Sequence, residues 1–422
     1  MTAIKDSGVE WIGEIPEDWN DCMPLRFCAS LKSATSPFDP NKPYLALENI
    51  SSWTGKVMSE EQPDQVDSSV ANYSRSDVLF GKLRPYLAKV VRPTADGQCS
   101  TELLPISPTS FDRDYLFWLL INKGLIDTVN SMTYGVKMPR TSWLQLGALY
   151  CPVPPRKEQA NIAAFLDNRC AEIDNVSQTL KSQIAILERY RASVINEAVT
   201  RGLNPSTPTK PSGVDWIRDI PVDWNCNKIK NITTLKTGRT PDTAEEELYY
   251  GGTIDWFTPG DLSDRTVGSA EKTITERAIA DGAGFIVPKN SVLLVGIGAT
   301  AGKTGFLKTD AATNQQITAL IPEERFDGKY LFYVMLSMRQ RLNDLALYAT
   351  VPILNNQYVG GCLIPEPPYD EQHKIADYLD ARTATIDAVL DTKRKQLDIL
   401  KRRRQSLIYE YVTGKRRVAE ED

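Results

Sequence analysis

The chain has 422 residues and a formal net charge of −5 at pH 7. This length predicts two or three domains, and the charge argues against a generic nucleic-acid-binding protein, which usually carries a basic excess. Seven cysteines without a C-x-x-C pair and a single histidine, His373, exclude a disulfide-stapled scaffold, a zinc ribbon and a histidine-based catalytic triad. The sequence has no long apolar run and no signal-like N-terminus, so we expect a cytoplasmic protein without a membrane segment.

The first motif in the chain is also present in a second copy. SGVEWIGEIPEDWN at residues 7–20 returns as SGVDWIRDIPVDWN at residues 212–225, with 10 of 14 positions identical. Residues 152–174 match residues 365–387 at 13 of 23 positions, whereas the sequences between these matched ends align only loosely. A repeat of roughly 200 residues is too long for a solenoid and indicates a duplicated domain. A duplication without functional consequence is one interpretation. Matched ends with divergent middles favour two modules that dock in the same way and recognise different targets.

The first module mixes short β-like runs with one helical pattern at residues 115–121, which predicts an α+β domain. The β-like runs are residues 44–47, 78–80 and 88–91. KLRPYLAK at residues 82–89, in one strand-turn-strand region with the last two runs, interleaves cations with an aromatic ring, a pattern that suits phosphate contact and groove reading. An ordinary solvated hairpin is an equally good interpretation. The candidate DNA-binding residues of this module are Lys82, Arg84, Tyr86 and Lys89.

A long segment without proline or glycine follows the first module and ends at Gly202, and a second such segment ends at Gly414. Prolines at the entry and glycine past the exit are typical of helix ends. Apolar residues recur at spacings of three, four and seven, which is typical of a coiled coil. At 1.5 Å per residue, each helix would be roughly 67 Å long. The predicted seam residues are Ile162, Leu166, Ile173, Leu180 and Leu187 in the first helix and Ile375, Leu379, Ile386, Leu397 and Leu400 in the second.

The two helices are expected to pair with each other. If the halves are related by a pseudo-twofold axis, the helices run antiparallel with one module at each end. A helical pair that only stabilises the fold is the simpler alternative. Between the halves, residues 204–211 contain three prolines and are expected to form a stiff extended connector outside the folded modules.

The second module repeats the α+β composition, with a helical pattern at residues 330–336 and a glycine-rich loop, GIGATAGKTGF, at residues 296–306. Its β-like runs are residues 254–257, 291–295 and 318–321. The GKT in the loop resembles the tail of a Walker A motif, but Ile297 stands where that motif requires glycine, so we do not expect ATP binding. The candidate DNA-binding residues here are Lys303, Asn314, Gln315 and Gln316, of which the amides suit adenine edges. Ordinary polar turn residues are the alternative interpretation.

The order of the paired motifs resembles one known family. G-[VI]-[ED]-W-[IL]-G-x-[IV]-P-x-x-W is the pattern at residues 8–19 and, apart from Arg218 at its second glycine, at residues 213–224, and P-P-x-x-E-Q-x-x-I-A-x-[FY]-L-D occurs at residues 154–167 and 367–380. This two-copy arrangement resembles the specificity (S) subunit of type I DNA restriction and modification enzymes. The implied fold class is α+β, with two pseudo-twofold-related target recognition domains separated by a pair of long antiparallel coiled-coil helices.

The resemblance divides the chain into six segments. They are target recognition domain 1 at 1–154, a central spacer helix at 155–203, a linker at 204–211, target recognition domain 2 at 212–367, a C-terminal spacer helix at 368–414 and a tail at 415–422.

The resemblance also implies the function and the partners. Each recognition domain reads one half of a split, asymmetric sequence in double-stranded DNA, and the helices act as a ruler and dock two methyltransferase (M) subunits and, through them, restriction and motor (R) subunits. No catalytic residue, metal or cofactor is expected in this chain, whereas the partners are expected to use S-adenosylmethionine, ATP and Mg. Two other hypotheses stay open: a two-headed scaffold that holds proteins through its helices, and an intrinsically active nuclease or methyltransferase.

Overall fold

The computed structural model describes residues 3–58, 63, 65, 66, 69–133, 135, 137–346 and 353–418. The chain divides into two compact units. Unit 1 is Met1–Lys181 with Lys395–Asp422, and unit 2 is Ser182–Arg394. Within the described residues, no helix is both long enough and apolar enough to cross a membrane.

Unit 1 is built on two four-stranded sheets with orders β4-β11-β8-β9 and β5-β7-β10-β6, and on two strand pairs, β1-β2 and β12-β3. Its strands are β1 (Ile4–Asp6), β2 (Glu14–Pro16), β3 (Asn20–Pro24), β4 (Ala29–Leu31), β5 (Thr35–Ser36), β6 (Tyr44–Leu45), β7 (Val70–Tyr73), β8 (Val78–Gly81), β9 (Val90–Val91), β10 (Gly97–Cys99), β11 (Leu103–Pro108) and β12 (Tyr150–Val153). Its short helices are α1 (Arg113–Leu120), α2 (Lys123–Ser131) and α3 (Trp143–Ala148), and the long helix α4 (Arg156–Arg201) begins in this unit.

Unit 2 repeats this plan with a five-stranded sheet of order β16-β23-β20-β21-β18, a three-stranded sheet of order β19-β17-β22, and the pairs β13-β14 and β15-β24. Its strands are β13 (Thr209–Pro211), β14 (Asp219–Pro221), β15 (Asn225–Lys228), β16 (Thr233–Thr237), β17 (Tyr250–Phe257), β18 (Arg265–Thr266), β19 (Thr273–Ile274), β20 (Val292–Val295), β21 (Thr304–Phe306), β22 (Ala312–Thr313), β23 (Ile317–Pro322) and β24 (Leu363–Glu366). Its helices are α5 (Glu246–Tyr249), α6 (Glu276–Ala280), α7 (Gly328–Ser337), α8 (Arg339–Ala346), α9 (Asn356–Gly361) and α10 (Tyr369–Val412). The predicted α+β class is confirmed in both units.

The repeated motifs form the same hydrogen-bond frame in each unit. The indole Nε1 of Trp19 donates to Glu158 Oε2 at 2.8 Å, and that of Trp224 donates to Glu371 Oε2 at 3.0 Å. Next to the first glutamate, Gln159 accepts from the backbone N–H at the start of α1 and donates to a proline carbonyl at the start of α4. Next to the second, Gln372 makes the same two hydrogen bonds at the starts of α7 and α10. Both tryptophans and both glutamines are buried, so each polar group is satisfied inside the core. The matched ends of the repeat are therefore the structural frame of the unit.

The long helices α4 and α10 run antiparallel in each unit. In unit 1, the ring of Phe165 lies 4.4 Å from that of Tyr411, and Asp174 pairs with Arg404 further along. In unit 2, Gln183 accepts from Lys393, and Arg191 pairs with Asp387. Residue numbers thus fall along α10 as they rise along α4, as the sequence predicted.

A glycine follows the end of each long helix and packs against a tryptophan of the frame. Gly202 and Gly414 have φ of +75° and +72°, the left-handed conformation that glycine adopts without steric cost. A Cβ on Gly414 would lie 2.9 Å from the Trp19 ring, and one on Gly202 would lie 3.2 Å from the Trp224 ring. Glycine at these positions therefore serves both the helix end and the packing.

The expectation that residues 204–211 lie outside the fold is wrong for the last three of them. Thr209–Pro211 form β13, which pairs with β14 in the register Thr209↔Pro221 to Pro211↔Asp219. Proline is tolerated here because β13 is an edge strand of a two-stranded sheet and has no second neighbour to bond.

Candidate nucleic-acid interface

The candidate loop of unit 1 connects β8 to β9. The Gly81 N–H donates to the Lys89 carbonyl at 2.8 Å and closes the loop at its base. A second segment braces the loop, because Arg84 N–H donates to the Pro139 carbonyl at 2.7 Å and Thr141 N–H donates to the Lys82 carbonyl at 2.9 Å. The loop is a braced hairpin rather than a free strand connection.

The four predicted side chains of this loop do not share one environment. Arg84 is exposed, and Tyr86 is 44% exposed. Lys89 donates to the Leu47 carbonyl at 2.7 Å, so its ammonium group is engaged inside the unit. Lys82 lies 3.9 Å from a carboxylate oxygen of Glu102. The structure therefore brings Arg84 and Tyr86 to the surface as a pair and directs Lys89 inward.

Two residues that the sequence patterns did not indicate, Glu102 and Arg140, lie beside this loop. Glu102 directly precedes β11, and its carboxylate lies 3.3 Å from the guanidinium of Arg140 as well as near Lys82. These residues are far apart in sequence: the pairing of β8 with β11 brings Glu102 to the loop, and the bridge between Leu83 and Arg140 brings the arginine. A strict alignment of the two halves was the one signal that could have found Glu102, because Gln316 occupies its place in unit 2.

The base of the unit 1 hairpin is held by a buried carboxylate. Asp77 accepts from Lys32 Nζ at 2.7 Å and from Ser107 Oγ at 2.6 Å. Burial raises the pKa of this carboxyl, but the hydrogen bonds from Lys32, Ser107 and the Ser74 backbone outweigh it, so the pKa of Asp77 lies below its ordinary value. Asp77 is therefore ionised at neutral pH and fixes the start of β8.

The candidate loop of unit 2 has the same backbone frame. The Val295 N–H donates to the Lys303 carbonyl at 2.8 Å, and Leu354 N–H donates to the Gly296 carbonyl at 2.7 Å. Gly298 and Gly302 have φ of +109° and +83°, at the positions where unit 1 has Arg84 and Ala88 in the same left-handed region. The glycines leave this loop without side chains at the two strained positions.

Two of the four predicted side chains of unit 2, Asn314 and Gln316, bond to each other beside the loop. Asn314 is buried; its amide donates to Gln316 Oε1 at 3.1 Å, and its Oδ1 accepts from the Gln316 N–H at 3.1 Å. Gln315 is exposed and accepts from the hydroxyl of Thr240. Lys303 lies apart from this pair and points to the Pro259 carbonyl. The structure thus joins the side chain of Asn314 to Gln316, whereas Gln315 and Lys303 contact other segments.

The predicted seam residues fall into two groups. Ile162, Leu166, Ile375 and Leu379 are fully buried in the hydrophobic cores of their units, where the long helices pack on α1 or α7 and the frame motifs. Leu180 and Ile386 are also buried, whereas the other four, Ile173, Leu187, Leu397 and Leu400, are partly exposed. The start of each long helix therefore belongs to a globular core, and the coiled-coil spacing continues beyond it.

Charged junctions that the apolar pattern did not indicate join the helices in each unit. In unit 1, Asp174 on α4 binds Arg404 on α10 and lies 3.6 Å from Lys56. In unit 2, Asp387 on α10 binds Arg191 on α4 and lies 3.5 Å from Arg265. A bidentate hydrogen bond from Arg265 to Asp391, at 2.9 and 3.0 Å, raises the pKa of the arginine.

The predicted tail begins inside unit 1. Lys415 donates to the Glu14 carbonyl at 2.6 Å, and Arg417 binds Asp18 and Glu158 at 2.9 and 2.7 Å. Part of the basic C-terminal charge is therefore neutralised within the unit. Residues 419–422 of the tail lie outside the described residues.

Comparisons with known proteins find sequences and a structure similar to this chain. A sequence model of the type I restriction modification DNA specificity domain matches residues 221–398. The MjaIX type I restriction enzyme specificity subunit of Methanocaldococcus jannaschii is 34% identical over 191 residues, which are 44% of this chain and 43% of that protein. This match spans less than half of the relative's length.

Two further similarities extend over more of the chain. The MjaVIII type I restriction enzyme specificity subunit of the same organism is 23% identical over 321 residues, covering 73% of this chain and 71% of that protein. A solved structure from a study of complex assembly and conformational transition of the type I R-M system has a TM-score of 0.67 at 18% identity, covering 95% of this chain and 99% of that one, and shares the fold. Residues 221–398 thus match the type I restriction modification DNA specificity domain, and the chain as a whole is similar to type I restriction enzyme specificity subunits.

Proposed function

We propose that this chain reads DNA for a type I restriction-modification complex and has no catalytic activity of its own. Unit 1 and unit 2 each read one half of a split, asymmetric target in double-stranded DNA. Helices α4 and α10 set the distance between the half-sites and dock two methyltransferase subunits, which recruit the restriction and motor subunits. S-adenosylmethionine, ATP and Mg belong to those partners.

The observation that carries this proposal is the pair of hairpin loops with one backbone frame and different side chains. Unit 1 presents Arg84 and Tyr86 at its loop and Glu102 at the loop's base, whereas unit 2 presents glycines beside the paired amides of Asn314 and Gln316. A shared frame lets both modules approach DNA in the same way, and base-edge contacts specify sequence through the side chains that differ. Two unlike loops on like frames therefore predict two unlike half-sites.

The acidic composition is compatible with this function if the partner subunits supply much of the phosphate contact. The charge of −5 would repel a DNA backbone on average, and non-specific affinity comes from cations that neutralise phosphates. Methylation also requires an adenine to leave the base stack, at a cost of a few kcal/mol, and that step falls to the methyltransferase. In this arrangement, the chain contributes more to the sequence selectivity of DNA binding than to its affinity.

A selection from random DNA tests the proposal. The full chain, assembled with the methyltransferase subunits of its own source, is incubated with duplexes randomised over two turns of DNA, and the retained molecules are sequenced. We expect two different half-sites separated by a constant number of unspecified base pairs. Retention without sequence preference, or no retention beyond that of the methyltransferase alone, would contradict DNA reading and favour the scaffold hypothesis.

The spacing role of the helices has its own test. Removing one heptad from each of α4 and α10 shortens the helical pair by about 10 Å, which is about three base pairs of DNA. We expect the selected spacer to change while both half-sites stay the same. If a shortened variant selects the original number of base pairs between the half-sites, the helices do not set that distance.

A further inference from the structure

Glu102 and Gln316 occupy the same position in the two units. Each residue directly precedes the strand that pairs with the hairpin, with Leu103 opposite Gly81 and Ile317 opposite Val295. The carbonyl of each accepts from the first loop residue: Lys82 N–H reaches Glu102 at 2.9 Å. In unit 2, the Gly296 N–H reaches the Gln316 carbonyl at 2.7 Å. Both side chains therefore start from equivalent backbone sites beneath the candidate loop.

The side chain of Glu102 has unused acceptor capacity. Oε1 lies 3.9 Å from Lys82 Nζ and 3.3 Å from Arg140, while Oε2 is shielded from solvent and has no hydrogen-bond partner among the described residues. A carboxylate oxygen without a donor is unfavourable when buried. Both cations are on long, partly exposed side chains, so phosphate oxygens can compete for them. Such an exchange would free the carboxylate to accept from a base.

The side chain of Gln316 is an amide, whereas that of Glu102 is a carboxylate. Its Oε1 accepts from Asn314, and its Nε2 lies on the side of Gly298, 3.7 Å from where a Cβ on that glycine would be. An amide both donates and accepts, whereas an ionised carboxylate only accepts. In the major groove, glutamine suits the N6 and N7 of adenine, and glutamate suits the N4 amino group of cytosine.

We propose that Glu102 and Gln316 are matched base-reading residues, one in each half-site, with Glu102 reading a cytosine and Gln316 an adenine. The inference rests on the proposed DNA-reading function and adds which position carries the choice of base. Lys82 and Arg140, together with Arg84, neutralise phosphates beside Glu102, and the glycines of the unit 2 loop allow its backbone to come close to the DNA.

The experiment repeats the random-DNA selection with reciprocal, nearly isosteric variants of the full chain in the methyltransferase complex. Glu102→Gln should change the preferred base at one position of the first half-site, from cytosine towards adenine, by about tenfold. Gln316→Glu should make the opposite change in the second half-site only. Glu17→Gln and Glu324→Gln, which alter exposed carboxylates away from the loops, serve as matched controls and should change neither half-site.

The outcomes separate this inference from the function on which it rests. If wild-type protein selects two half-sites and Glu102→Gln lowers affinity equally for all sequences, Glu102 is only a structural partner of the cations and the inference is wrong. A change in the other half-site, or in both, would overturn it as well. If the wild type selects no sequence, the proposed function itself fails. Equal thermal unfolding of variant and wild type establishes that a changed preference does not come from misfolding.

Discussion

The junction between Asp174 and Arg404 gives the sharpest test of how the helices are held together. The carboxylate lies 3.1 Å from the guanidinium, and Arg404, which is 8% exposed, also donates to the Trp53 carbonyl at 2.8 Å. Replacing Asp174 with asparagine keeps the shape and removes the charge that balances a buried guanidinium. Breaking a fully buried pair costs about 3–5 kcal/mol, and the residual exposure of this pair reduces the expected loss to about 2 kcal/mol.

A double-mutant cycle isolates the contribution of the pair. Asp174→Asn, Arg404→Gln and the double variant are unfolded with denaturant as full chains, and we expect a coupling free energy of about 1–2 kcal/mol. Arg169 and Glu172, an exposed pair on the same helix at 3.0 Å, provide the control, with an expected coupling of about 0.5 kcal/mol or less. Additive effects at Asp174 and Arg404 would refute the claim that this junction joins α4 to α10 in unit 1.

Three further predictions concern the frame, the hairpin base and the loop. Trp224→Ala should lower the free energy of unfolding by about 3–5 kcal/mol, because the ring is fully buried, whereas Val222→Ala, at an exposed position two residues earlier, should cost about 0.5 kcal/mol or less. Equal losses in denaturant unfolding would contradict the structural role of the tryptophan. The pKa of Asp77 is lower in the folded state than in the unfolded state, so its ionised carboxylate stabilises the folded protein at pH values above the unfolded-state pKa. This stabilisation is lost as the pH falls through the folded-state pKa. The stability difference between wild type and Asp77→Asn should therefore shrink on acidification, and a difference constant with pH would show that this carboxylate is not the cause. Arg84→Ala should weaken DNA binding equally for all sequences and reduce the slope of log affinity against log salt by about one, and an altered base preference in binding titrations would instead make Arg84 a base reader.

The sequence was sufficient to locate the long helices and the frame residues, because the helix ends are marked locally and the frame motifs occur twice. Gly202 and Gly414 mark helix ends through their own backbone conformation, and the segments between proline and glycine predict α4 and α10 to within two residues at each end. The duplicated Trp and Glu-Gln motifs were recognisable by repetition alone. Their contacts, such as Trp19 with Glu158, became visible only in the folded units.

The side chains of the two candidate loops were only partly predictable because their chemistry depends on contacts between distant segments. The sequence located the hairpin that carries Arg84, but not the backbone carbonyl that binds Lys89 or the strand pairing that places Glu102 under the loop. The sequence predicts Asn314 as one of three amides that suit adenine edges, yet its side chain is buried and makes two hydrogen bonds with Gln316. Residue type suggested the chemistry, while tertiary contacts decided which side chains are available.

Mapping methylated adenines in the source genome, with and without this gene, tests the two-reader account most directly. The account predicts one interrupted sequence with two unlike halves at constant spacing, methylated on both strands, that loses its methylation when the gene is deleted. Methylation that persists after deletion, or that depends on the gene but marks one continuous or symmetric sequence, would contradict it.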